Sequence, residues 1–74
     1  MSFAALIRLV DGMEDRAEGY LTLEAVAAAG GERLQEAIAE AILLVDYRAR
    51  ADGTPVTICR LNRHHAEVKA LTAW

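Results

Sequence analysis

Cys59, His64, His65 and Glu67 fall within nine residues of one another and are the side chains best suited to chemistry. A thiol with an imidazole in reach is what nucleophilic catalysis requires. Cysteine, histidine and glutamate are also zinc ligands. The spacing argues against both uses. Zinc sites favour tight ligand pairs such as C-x2-C or H-x3-H, whereas His64 and Glu67 are three apart and Cys59 is a distant third. Neighbouring histidines project about 100° apart on a helix, so His64 and His65 do not chelate together. Cys59 lies in a run that reads as a strand, where a small buried thiol is the commoner state. The expectation is therefore a non-enzyme with no catalytic residue, no metal and no cofactor. No GxGxxG, P-loop or GxSxG pattern is present. Gly30-Gly31 reads as a turn, because Glu32 follows it and would repel an anion at the next helix start. Glu32, Glu36 and Glu40 are spaced by four and form an acidic ridge rather than an acid–base pair in a pocket.

Charge is the stronger signal. The net charge is −3, yet residues 47–74 hold five basic groups (Arg48, Arg50, Arg60, Arg63, Lys69) against Asp52 and Glu67. Residues 1–46 hold nine acidic groups against Arg8, Arg16 and Arg33. A basic C-terminal third favours an anionic partner locally, even on an acidic protein.

The elements that position these groups belong to one small domain over residues 1–74. A chain this short buries only about 60% of its unfolded surface, so a partner would help it. Hydrophobic residues make up 54%, which excludes a disordered tail. The single cysteine excludes an intrachain disulfide and suits a reducing cytoplasm. No apolar stretch has membrane-spanning length, and Met1 to Val10 has no basic segment before it and carries Arg8, unlike a signal peptide.

Periodicity predicts a first helix from Ser2, as cap, to about Ala17. Phe3, Leu6, Ile7, Leu9, Val10, Met13 and Ala17 share one broad arc of it. That width, with Trp74, suggests a homodimer through this helix and the C-terminal one. Tyr20-Leu21 is short and extended. Thr22 caps a second helix, Leu23–Ala29, which Gly30-Gly31 ends. A third helix is predicted from about Glu32 to Leu44, burying Leu34, Ala37, Ile38, Ala41, Ile42 and Val45. Its outward face would carry Arg33, Gln35, Glu36, Ala39, Glu40 and Leu43. From Asp46 the period becomes two. Asp52-Gly53 predicts a two-residue type I′ hairpin, with Ala49 opposite Val56 and Tyr47 opposite Ile58 as a core pair. Arg48 and Arg50 would then share the other face with Thr57 and Cys59. Asn62 is the expected cap of a last helix, His64 to Leu71, with His64, Val68 and Leu71 on one side.

Helix, short extended piece, helix–glycine turn–helix and hairpin is the order of an α+β winged helix-turn-helix. Tyr20-Leu21-Thr22-Leu23-Glu24-Ala25-Val26-Ala27 resembles the opening of many bacterial winged-helix repressors. Ile42-Leu43-Leu44-Val45-Asp46, leading into Tyr47, resembles their passage from recognition helix to wing. Thr57-Ile58-Cys59-Arg60-Leu61-Asn62-Arg63-His64-His65 is similar to the wing exit of ArsR-like transcriptional regulators, although Ala66 stands where those relatives often have proline. The resemblance covers residues 20–71. It implies double-stranded DNA binding, with residues 32–43 in the major groove and the hairpin assisting. The expected DNA contacts are Arg33, Gln35, Arg48, Arg50, Arg60 and Arg63. Glu36 and Glu40 oppose phosphate on the third helix, so the wing is expected to carry much of the attraction. The alternative is a protein–protein module that uses Glu36, Ala39, Glu40 and Leu43 against a basic or apolar partner.

Overall fold

Apolar residues recurring every three or four positions make the first helix, α1, which spans Ala4–Arg16 in the computed structural model. That structure describes residues 3–72, so Ser2 and Trp74, the expected cap and closing aromatic, lie outside the described residues. The backbone N–H of Phe3, just before α1, donates to Glu67 Oε2 at 2.8 Å. Phe3, Leu6, Ile7 and Val10 are buried in the chain's own core, and Leu9 and Met13 pack half-buried against it. Most of the stripe that suggested a dimer is thus used within the domain.

After α1 come β1 (Leu21–Thr22), α2 (Leu23–Ala28), α3 (Leu34–Ala39), β2 (Leu43–Ala49), β3 (Pro55–Leu61) and α4 (Ala66–Thr72). The fold is α+β, with a three-stranded antiparallel sheet in the order β1-β3-β2. Helix and sheet layers enclose Ile7, Val10, Val26, Ile42, Leu43 and Val68, which are essentially inaccessible. Among the described residues no helix is long and apolar enough to cross a membrane.

Thr22 caps α2 as expected, its Oγ1 accepting the Ala25 N–H at 3.1 Å. The helix ends in a Schellman motif. Gly31 N–H donates to the Val26 carbonyl, Gly30 N–H donates to that of Ala27, and Gly30 sits at φ 96°.

The third helix corrects the expectation. It has six residues, not the span from Glu32 to Leu44. The same terminating motif recurs after Ala39: Ile42 N–H donates to the Ala37 carbonyl and Ala41 N–H to that of Ile38. Here an alanine, not a glycine, holds the left-handed position, with Ala41 at φ 59°. That conformation costs an L-residue about 1–2 kcal/mol. Two features offset it. Ile42 is driven into the core, and Asn62 clasps the turn, its Nδ2 donating to the Ala41 carbonyl at 2.9 Å and its N–H to that of Ile42 at 2.9 Å. Leu43, Leu44 and Val45 therefore belong to β2, and Ala41 is exposed rather than buried.

The hairpin register is also corrected. Gly53, at φ 87°, donates its N–H to the Arg50 carbonyl, and Arg50 N–H donates to the Thr54 carbonyl. This is a three-residue loop over residues 51–53, a type I turn followed by a left-handed residue, not a type I′ turn. Asp52 Oδ1 accepts both the N–H and the Oγ1 hydroxyl of Thr54, at 2.9 and 2.6 Å, and so stabilises the longer loop. The extra loop residue moves pairing by one: Tyr47 faces Thr57, Arg48 faces Val56 and Ala49 faces Pro55. Tyr47 is 72% exposed and no core residue. Arg48 shares its face with Val56, Ile58 and Arg60, not with Thr57 and Cys59.

The last helix begins at Ala66, two residues later than expected. Asn62 Oδ1 accepts His64 N–H in the preceding turn, and His65 Nδ1 accepts Glu67 N–H at the helix start. His64 is exposed, while Val68 is buried and Leu71 packs against the core.

The two left-handed turns predict opposite responses. Ala41→Gly removes the Cβ strain and is expected to raise stability by about 0.5–1 kcal/mol, after the glycine's added unfolded-state entropy. Gly31→Ala would bring a Cβ within 2.8 Å of both the carbonyl oxygen and Cγ1 of Val26, and is expected to cost about 1–3 kcal/mol. Urea denaturation midpoints of the two variants measure both signs.

Candidate nucleic-acid interface

The six expected DNA contacts fall into three groups. Arg33 and Arg63 are committed to structure. Arg33 precedes α3 with a left-handed backbone at φ 58°. Its Nε and Nη2 donate to Glu36 Oε2 at 3.2 and 2.8 Å, and its guanidinium lies 4.1 Å over the Phe3 ring. The hydrogen bond with Arg33, and then its charge, hold the Glu36 carboxyl below the usual range, and the same hydrogen bond raises Arg33. Arg63 bridges two carboxylates of α1, with Nη1 2.9 Å from Asp11 Oδ1 and Nη2 2.6 Å from Glu14 Oε2.

The second group is Gln35 and Arg50. Both line a groove between the helices and the hairpin, walled by Leu23, Glu24, Val56 and Thr57. A residue of α3 and a residue of the loop between β2 and β3 thus border one surface, although fifteen positions separate them. The third group, Arg48 and Arg60, occupies the outer face of the sheet. Those two arginines line a concavity there with Tyr20, Leu44, Asp46 and Ile58. Arg48, Arg50 and Arg60 are exposed, and among the described residues their side chains make no ion pair.

The alternative set is also divided. Glu36, Ala39 and Glu40 are exposed on and just after α3. Leu43 is not: it is 1% accessible and lies in β2 opposite Leu61. Its assignment to an outward helix face fails because α3 ends four residues before it.

Sequence reasoning missed the partners of Arg63 and the role of Glu14. Glu14 Oε1 accepts the Leu61 N–H at 2.8 Å while Oε2 holds Arg63. These groups are nearly fifty residues apart in sequence, so no local pattern signals them. Tyr20, Leu44 and Ile58 were also missed as a surface. The period-two alternation around Arg60 could have signalled it, had the register been known.

For the side chains suited to chemistry, Cys59 is buried opposite Val45 and Leu21, and His64 is exposed in the turn beyond β3. Among the described residues no group of three His, Cys, Asp or Glu is placed to hold a metal ion. The chain matches no protein-family model, no curated protein and no solved structure.

Burial, and then the nearby Glu14 charge, push the Cys59 thiol above its ordinary value. A raised thiol favours the fold at neutral pH, and that contribution fades as pH rises through the folded thiol's value. Labelling by a thiol-specific disulfide reagent at neutral pH is expected to be slower in the folded chain than in urea, on the order of a hundredfold or more.

Proposed function

We propose that the chain is a winged helix-turn-helix domain that binds double-stranded DNA as a small transcriptional regulator, with the β2–β3 hairpin as its main phosphate contact. The element order supports this reading: α1, β1, α2 and α3 are followed by a hairpin whose second strand pairs with β1. Within it, α3 is the counterpart of a recognition helix and the hairpin of a wing.

The observation that carries the proposal is the state of the arginines. The hairpin, residues 43–61, contains three arginines against two aspartates, and all three arginines are exposed with no ion pair among the described residues. Asp52 turns its carboxylate onto Thr54, and Asp46 accepts the Tyr47 N–H. Affinity for duplex DNA comes chiefly from phosphate neutralisation, which rewards such unpaired cations. Helix α3 contributes less attraction. Gln35 is its exposed polar reader, Arg33 is held by Glu36, and Glu40 adds a further negative charge. Gln35 lies near Arg50, so a duplex held by the hairpin would approach α3 at that residue.

The competing reading uses Glu36, Ala39 and Glu40 as a docking face for a basic protein, and their exposure favours it. One set of measurements separates the two. In a fluorescence anisotropy titration with random duplex DNA, Arg48→Ala with Arg50→Ala is expected to weaken binding for every sequence. The same pair should lower the log–log salt slope by about two. Both side chains are in solvent, so stability should move by less than about half a kcal/mol. Glu36→Gln with Glu40→Gln is expected to tighten binding, because it removes two repulsive charges. Absence of salt-sensitive binding by the parent chain would overturn the DNA reading. So would an arginine pair neutral to binding beside a glutamine pair that abolishes attachment to a basic protein.

A further inference from the structure

We infer that the outer face of the sheet is a binding site for a monocarboxylic acid with an apolar ring, in a concavity where Arg60 lies between Tyr20 and Leu44. The alignment of the strands builds it. Leu21 faces Cys59, which brings Tyr20 level with Arg60 on one side, and Leu44 faces Arg60 on the other. One step along, Ile58 faces Asp46, and a further step brings Arg48 opposite Val56. The concavity has a volume of about 390 Å³, within the roughly 300–1,000 Å³ of small-molecule sites. Tyr20 borders the concavity and is 52% exposed, while Leu44 and Ile58 are half-buried and form an apolar floor.

Charge selects the ligand class. Arg48 and Arg60 make no ion pair among the described residues, and Asp46 is the carboxylate between them. Glu14 also borders the concavity; its oxygens accept the Leu61 N–H and Arg63, but Arg63 is shared with Asp11, so a negative charge remains on this side. Arg48 and Arg60 are therefore balanced by Asp46 and Glu14, and what the site offers is guanidinium groups without an ion pair rather than an excess of charge. That balance suits a monoanion paired with one guanidinium better than a phosphate dianion, which Asp46 and Glu14 would repel. A guanidinium pairs with a carboxylate through two parallel hydrogen bonds. A ring on the ligand then stacks on Tyr20 and covers Leu44 and Ile58.

The site does not depend on DNA binding, and its test contains no DNA in the first arm. Amide chemical shifts of the full chain are followed as 3-phenylpropionate is added. The expected result is saturable movement at Tyr20, Leu44, Ile58 and Arg60. The uncharged 3-phenylpropan-1-ol should bind roughly tenfold or more weakly, the scale of one charge-assisted hydrogen bond. Acetate, which lacks the ring, should not saturate over the same range. Arg60→Gln should weaken the acid, but not the alcohol, by a similar factor with the rest of the spectrum unchanged. If that variant misfolds, the acid–alcohol difference on the parent chain decides the matter alone. Equal binding of acid and alcohol would overturn the inference, as would no saturable shift in the millimolar range. In a second arm, a short duplex that moves these residues when the acid does not would assign the face to DNA and end the proposal.

Discussion

The rest of the structure hangs on how the end of β3 is satisfied. β3 is the central strand, but β1 covers only Ile58 and Cys59 on one side of it. The Leu61 N–H therefore projects past the end of β1 with no strand partner. A buried N–H left unmatched costs about 1–3 kcal/mol, and Glu14 of α1 removes that cost by accepting it at 2.8 Å. The same carboxylate holds Arg63, which also reaches Asp11. Three charged side chains thus fix α1 against the sheet and set where the chain leaves β3. Just beyond, Asn62 donates to the Ala41 and Ile42 carbonyls and steadies the turn that launches β2. The beginning of one hairpin strand and the end of the other are tied by that single asparagine.

From this anchored base the hairpin projects, and the molecule is long for its size, 39 × 22 × 22 Å. β2 is an edge strand, and exposed edges invite pairing with other chains. Asp46 blunts this one: its Oδ1 accepts the Tyr47 N–H at 2.8 Å, and its charge sits at the edge. Tyr47 lies beyond the helices that could cover it, which is why an aromatic residue of strand periodicity ends in solvent.

The distribution of positive charge then separates structural from available groups. Arg33 and Arg63 neutralise carboxylates and hold elements together. Arg48, Arg50 and Arg60 stand on strands or in a loop, exposed, and make no ion pair among the described residues. An acidic chain can present a basic projection in this way, because charges that are screened over about 8–10 Å act locally rather than as a sum. The two proposals use different surfaces: DNA along the hairpin and Gln35, and a small acid on the outer sheet face.

Local sequence determined much of this. The Thr22 cap, the glycine pair that stops α2, the three-to-four-residue apolar spacing of α1 and the change to period two near β2 all act over a few residues, so they are legible from residue types alone. The end of α3 was not. Alanine is a strong helix former, and Glu40-Ala41-Ile42 reads as continued helix until Asn62, twenty-one residues away, makes the left-handed turn affordable. The hairpin register was not legible either, because Asp52-Gly53 suits two loop lengths and the side-chain contacts of Asp52 with Thr54 choose between them. A shift of one residue exchanges the faces of a strand, so that choice decided that Arg48 joins Arg60 on the outer sheet. Among the candidate contacts, residue type identified all the arginines. Only tertiary structure decided which were spent: an ion pair such as Arg63 with Glu14 depends on a meeting of distant segments that no local pattern encodes.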